Sequence, residues 1–209
     1  MLLELIRGSV NAGQFLAWIV GAALAITVHE YAHARRALAA GDATPLANGR
    51  VTLNPLAHYD PIGTTLLIVA GFGWAKPVPV DPRNFRSPRK DALWVSLWGP
   101  LSNVLLAAFL AIFLRLDALG PYTDAVRFIV LINCVLAVFN LIPIPPLDGS
   151  HVLSALLPID AARRLDYFYA RNGRFLMLAA LFVLISGFGF TVLMIPIYGL
   201  YWLLTGSLF

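Results

Sequence analysis

His29, Glu30 and His33 stand at the end of an apolar run that would otherwise tolerate none of them. No residue from Val10 to Val28 is charged. A helix carried through this run into His33 sets both imidazoles on one face, because four residues make close to one turn. Two neutral imidazoles so placed grip a single cation. Zinc is the metal the pattern suits, and the intervening glutamate, offset from the histidines, is placed to take a proton from water at the metal. Such a zinc site takes a third protein ligand and keeps a fourth position for water or substrate. One more buried donor is therefore required.

The second chemically informative stretch holds Asn140, Pro143, Pro145, Pro146, Leu147, Asp148 and Gly149. Closely spaced prolines break a helix and leave carbonyls that only a packed or watered cavity satisfies. Asp148 follows at or near membrane depth. A carboxylate at the centre of a span costs about 2.5–3.5 kcal/mol on insertion scales, so it needs a partner, and a cation is the strongest one available. The competing role for Asp148 is the cap of a short helix running to Leu157. His58 and His151 lie outside the helical motif and read as structural. Trp74, Trp94 and Trp98 read as interfacial anchors or packing.

The elements that must position these residues follow from composition. The 209 residues are 59% hydrophobic and 12% charged, a balance expected of a polytopic membrane protein. The simplest division is one domain over residues 1–209, with a catalytic core over about residues 12–155. The net charge of +4 raises nucleic acid as a partner. The basic residues lie between apolar runs, however, where they act as topology determinants, so the lipid bilayer is the expected partner and nucleic acid is not. The lone cysteine, Cys134, excludes an intrachain disulfide and reads as packing.

The fold class is all-α and polytopic, with about five transmembrane helices around a three-helix core and a re-entrant or strand-like insert between the first two. The core spans are placed at residues 12–38, 92–114 and 125–141. In the insert, residues 49–53 resemble a short strand and Asp60-Pro61 a helix start. The apolar run 62–75 is short for a span, and residues 74–80 read as extended. The uncharged stretch 175–204 exceeds one span; Gly187, Gly189 and Pro196 favour splitting it in two. Lys76, Arg83, Arg86, Arg89 and Lys90 form the densest positive cluster, and a loop with Arg163, Arg164, Arg171 and Arg174 adds to it. By the positive-inside rule both face the cytoplasm, and three spans bring His33 and Asp148 to that same side.

These motifs resemble those of the site-2 protease family of intramembrane zinc metalloproteases. The resemblance rests on His29-Glu30-x-x-His33, on Gly99-Pro100-x-x-Asn103 in the second span, and on Asn140, Pro143, Pro145, Leu147, Asp148 and Gly149 closing the third. It covers about residues 13–153. It implies His29, His33 and Asp148 as ligands of one zinc ion, Glu30 as general base, and a role for Asn140 near substrate or the transition-state oxygen. PDZ and CBS modules are absent from this chain. The insert around residues 60–72 looks like that of small bacterial members, which points to a bacterial inner membrane.

The expected function is therefore intramembrane zinc endopeptidase action on a single-span membrane protein. The substrate would be unwound and held by pairing with an edge near residues 50–53 or 74–80. Two alternatives belong to other classes: a non-proteolytic scaffold or chaperone with a structural metal, for which Glu30 is dispensable, and a metal-dependent lipid hydrolase. Asn103, one turn from Gly99, reads as a packing amide that hydrogen-bonds a neighbour.

Overall fold

The computed structural model describes residues 2–8, 10–71 and 73–207; residues 1, 9, 72, 208 and 209 lie outside the described residues. A short helix, α1 (Leu2–Ile6), leads into the long first core helix, α2 (Ala12–Ala40). A reciprocal cap starts α2: the Gln14 N–H donates to Asn11 Oδ1 at 2.8 Å, and the Asn11 N–H donates to Gln14 Oε1 at 3.0 Å. Gly41, at φ 109°, ends it in the left-handed conformation. At 1.5 Å per residue this helix exceeds the roughly 30 Å hydrocarbon thickness, so its last turns, which carry the histidines, approach one end of the bundle.

The insert comprises α3 (Thr44–Ala47), a 3-10 turn at Pro55–His58, α4 (Pro61–Ala70) and an extended segment through residue 80. Asp60 caps α4 by accepting from the Gly63 N–H at 2.7 Å, as its place before Pro61 predicts. Residues 49–53, expected as a strand, form the end of a turn at Gly49 and a bend at Val51 and Thr52, and no strand occurs among the described residues. The Arg50 N–H is committed to the Pro45 carbonyl at 2.8 Å, so Val51 and Thr52 have no ladder to join.

The second and third core helices are α5 (Pro88–Arg115) and α6 (Thr123–Asn140), and α2, α5 and α6 pack mutually. Small residues set the spacing. A Cβ on Gly21 would sit 3.0 Å from the Ile129 side chain, so glycine lets α6 lie close against α2 beside Ala22 and Ala25. A turn-rich link over residues 141–147 then feeds α7 (Asp148–Leu156), which packs on α5.

Among the described residues, four segments are long and apolar enough to cross a membrane: Ala12–Ala40, Pro88–Arg115, Gly120–Asn140 and Phe188–Thr205. The chain after α7 forms α8 (Ile159–Ile185) and α9 (Phe188–Thr205), divided at Gly187 as expected. The basic stretch 163–174, expected as a loop, is helical. No proline or glycine interrupts it before Gly173, and charge excludes a segment from the membrane without preventing helix formation. Only residues 175–185 of α8 are uncharged, less than a span's length. α9 packs on α5 and α6 through Ile197 and Tyr201 against Ala107, Val130 and Cys134.

Candidate metal centre

One turn of α2 presents His29 and His33 side by side, and the first residue of α7 brings Asp148 to them. The His29 Nε2 and His33 Nε2 atoms lie 3.0 Å apart, and Asp148 Oδ2 lies 3.2 Å from the first and 3.3 Å from the second. The histidines are buried, at 6% and 9% exposure. Asp148 Oδ2 is itself buried with no hydrogen-bond partner.

The histidines' other nitrogens decide what the converging atoms carry. His33 Nδ1 lies 2.7 Å from the Val95 carbonyl, which only accepts, so this nitrogen must donate. His29 Nδ1 lies 2.8 Å from Asn103 Oδ1. The Asn103 amide is fixed in that sense because its Nδ2 donates to the Ala25 carbonyl and to Asn133 Oδ1, each at 2.9 Å. The Asn133 Nδ2 in turn donates to Ile129 O at 2.8 Å. Both imidazoles, when neutral, therefore turn bare Nε2 lone pairs toward a carboxylate oxygen. Three lone-pair donors facing one another repel unless a cation lies among them. Ligand atoms at 2.0–2.1 Å from a tetrahedral zinc would lie about 3.3 Å apart, close to the spacing found.

Glycines make the approach possible. A Cβ at Gly99 of α5 would overlap the His33 ring and come within 2.8 Å of His29 Cε1. A Cβ at Gly149 would overlap the Leu141 carbonyl, so the glycine after Asp148 lets α7 start tight against the end of α6. Asp148 opens α7 without capping it, since its side chain bonds no helix N–H.

Glu30 does not belong to the converging set. Its Oε2 accepts from the Val78 N–H at 3.1 Å, which ties it to the extended segment of the insert. That segment is also held by the Lys76 N–H, which donates to His58 O at 2.9 Å, and by the Arg50 guanidinium, which donates to the carbonyls of Ala57, Lys76 and Pro77. Pro77 and Pro79 have no N–H to offer. A strand edge over residues 76–79 is thus largely consumed from within. Among the described residues, the backbone groups of Trp74 and Ala75 have no partner. Trp74 also lines an apolar cleft of about 130 Å³ with Trp18, Ile26 and Thr27 of α2 and with Leu67 of α4.

The description peptidase family M50 matches residues 115–184, a stretch that holds Asp148 but not the histidines. A Bacillus subtilis protein named "Putative zinc metalloprotease YwhC" is 40% identical over 171 residues, which cover 77% of each chain. The chain belongs to peptidase family M50. Proteins named "Putative zinc metalloprotease Rip2" from Mycolicibacterium smegmatis and Mycobacterium tuberculosis are 31% identical over 170 residues, covering 78% of this chain and 65% of theirs. No solved structure matches.

In this M50 peptidase the structure gives the expected site residues different standing. His29, His33 and Asp148 come together; Glu30 lies beside them in sequence and is anchored by the insert. Asn140 ends α6 and donates to Leu136 O at 3.0 Å; among the described residues it makes no hydrogen bond to the cluster. His151 is exposed, and His58 is buried in the insert, with Nε2 against Thr52 O at 3.0 Å. Asn103, expected as a packing amide that bonds a neighbour, takes His29 Nδ1 as that neighbour and so orients its ring. Its signal was legible: an amide in an apolar helix, one turn from a glycine. The Val95 carbonyl and the Val78 N–H are backbone groups and carry no sequence signal.

Proposed function

We propose that this protein is a zinc endopeptidase that cleaves membrane proteins in or beside a membrane-spanning segment, with one zinc per chain held by His29, His33 and Asp148. The observation that carries this reading is the convergence of three lone-pair donors whose outer partners leave the Nε2 atoms free for metal. Zinc bound there supplies an activated water and a Lewis acid for the scissile carbonyl. Glu30 accepts the water's proton and returns it to the leaving amine, a role its carboxylate is free to play because it is not spent as a ligand. Asn103 and Val95 hold the two rings in the tautomer that leaves Nε2 bare.

A helical substrate hides its carbonyls and must be extended before attack. The Trp74 carbonyl packs against Gly63 of α4, so Ala75 is the residue left for such pairing, and the cleft beside Trp74 accepts an apolar side chain. The substrate class in this reading is a single-span membrane protein. Asn140, at the break between α6 and α7, is assigned to the substrate side of the site by its place in the motif alone.

The basic segments share one end of the bundle with the metal cluster: the Arg86 N–H bonds Ala40 O at the end of α2, and Arg89 Nε bonds Ala155 O in α7. By the positive-inside rule that end faces the cytoplasm of a bacterial inner membrane. The test is Glu30→Gln, which keeps the shape and removes the base. Zinc content is expected to stay near one per chain, while cleavage of single-span proteins in detergent falls about 10²–10⁴-fold. Parental cleavage by a zinc-loaded Glu30→Gln protein would defeat the proposal and favour another base or a scaffold.

A further inference from the structure

Arg50 is 4% exposed, and among the described residues its guanidinium bonds no carboxylate; its partners are the carbonyls of Ala57, Lys76 and Pro77. A buried guanidinium is expensive, and three charge-assisted bonds to backbone offset that cost only if the backbone is held still. Two of these carbonyls belong to consecutive residues of the extended segment, and the second is decisive. The Pro77 C=O, 2.8 Å from Arg50 Nη2, and the Val78 N–H, 3.1 Å from Glu30 Oε2, are the two ends of one peptide group. A trans peptide is planar and points its C=O and N–H in opposite directions. Fixing the oxygen on Arg50 therefore aims the hydrogen at Glu30.

We propose that Arg50 is a positioning residue for Glu30, acting through the Pro77–Val78 peptide group, which bridges the guanidinium on one side and the carboxylate on the other. The inference rests on the reading of Glu30 as general base. Electrostatics reinforce the geometry: a cation at the oxygen polarises the peptide and strengthens its N–H as a donor to an anion. The flanking prolines sharpen the arrangement, because Val78 carries the only N–H in residues 77–79 and the segment cannot present another amide to Glu30 by slipping one residue. Lysine cannot replace arginine here. A compact ammonium lacks the planar fork that reaches several carbonyls at once.

Two variants and two readouts test this. Arg50→Lys keeps the charge and loses the fork; Val78→Pro removes the bridging hydrogen itself. With a single-span reporter protein that the parent cleaves, each is expected to lower kcat about 10–100-fold, the range for one hydrogen bond to a charged group. KM and zinc content are expected to stay at parental values. The double variant is expected to be no slower than Val78→Pro, because both changes cut the same link. Arg83→Gln, an exposed charge in the turn just beyond the segment, serves as the control with parental kcat. Independently of cleavage, hydrogen exchange of residues 74–80 is expected to show a protected Val78 amide in the parent, with and without zinc, and an unprotected one in Arg50→Lys.

A Val78 amide that stays protected in Arg50→Lys overturns the proposal, as does a loss confined to KM or a double variant whose losses multiply. If Arg50→Lys fails to fold, parental kcat in Val78→Pro overturns it alone. Failure of the base assignment is seen separately, as parental cleavage by Glu30→Gln, and removes the catalytic role of Arg50 however the amide exchanges.

Discussion

Asn103→Ala tests whether the metal centre depends on the orientation of its ligands as well as on their presence. Asn103 is fully buried and makes three side-chain bonds: it accepts from His29 Nδ1 at 2.8 Å and donates to Ala25 O and Asn133 Oδ1 at 2.9 Å each. Removing the acceptor frees the His29 ring to rotate and to carry its proton on Nε2, the atom needed for metal. Losing such an outer partner costs about 10–100-fold in metal affinity, or about 1.4–2.7 kcal/mol. The structural loss is of the same order, since Asn103 makes three side-chain hydrogen bonds and those between membrane helices average about 0.6 kcal/mol each. Zinc binding and folding should thus both suffer, and each is measured separately. Competition with a chelator of known affinity measures the first, and thermal unfolding of the metal-free protein in detergent measures the second. Asn133→Ala removes one anchor of the amide but keeps the His29–Asn103 bond, so its zinc affinity should fall by less than about tenfold. An Asn103→Ala protein that binds zinc within about twofold of the parent would show that the His29 ring needs no partner, against the general expectation for metal-bound histidine.

Asp148→Ala should abolish stoichiometric zinc, leaving two histidine ligands; metal analysis that finds one zinc retained removes this aspartate from the site. Gly99→Ala should lower zinc affinity at least as far as Asn103→Ala, because its Cβ overlaps the His33 ring; parental zinc binding would mean that α5 yields at little cost. Asp42, buried beyond the end of α2, governs a pH effect. Burial pushes its carboxyl up, but donation from Thr44, Asn84 and the Asp81 backbone outweighs this and holds it below its ordinary value. A carboxyl lowered by folding contributes stability above its unfolded pKa of about 3.9, and that stability is lost as pH falls through the folded value. Asp42→Asn should therefore melt lower than the parent at pH 7, with the gap closing below about pH 4. A gap independent of pH would assign the effect to packing.

The pairing of His29 with His33, the need of Asp148 for a partner, the number and order of the core helices and the break at Gly187 were legible in the sequence because each rests on local chemistry. A spacing of four on a helix puts His29 and His33 on one face whatever surrounds them, and a carboxylate stranded at Asp148 among prolines requires a cation or a cap. Charge read less well. Arg163 to Arg174 marked a segment kept out of the membrane, yet the same residues favour helix, so the expected loop is the first half of α8.

Only the tertiary structure decided what surrounds the cluster. The outer partner of His33 is the Val95 carbonyl and that of Glu30 is the Val78 N–H, groups every residue carries and no sequence marks. Residues 49–53 looked like a strand from their β-branched side chains, but strand formation needs a partner edge, and Arg50 turns its N–H to Pro45 and its guanidinium to the Lys76 and Pro77 carbonyls. Asn103 shows the divide within one residue. Its amide was expected to bond a neighbour, but the choice of His29, 74 residues away in the chain, over any other group depends on the packing of α5 against α2 and α6.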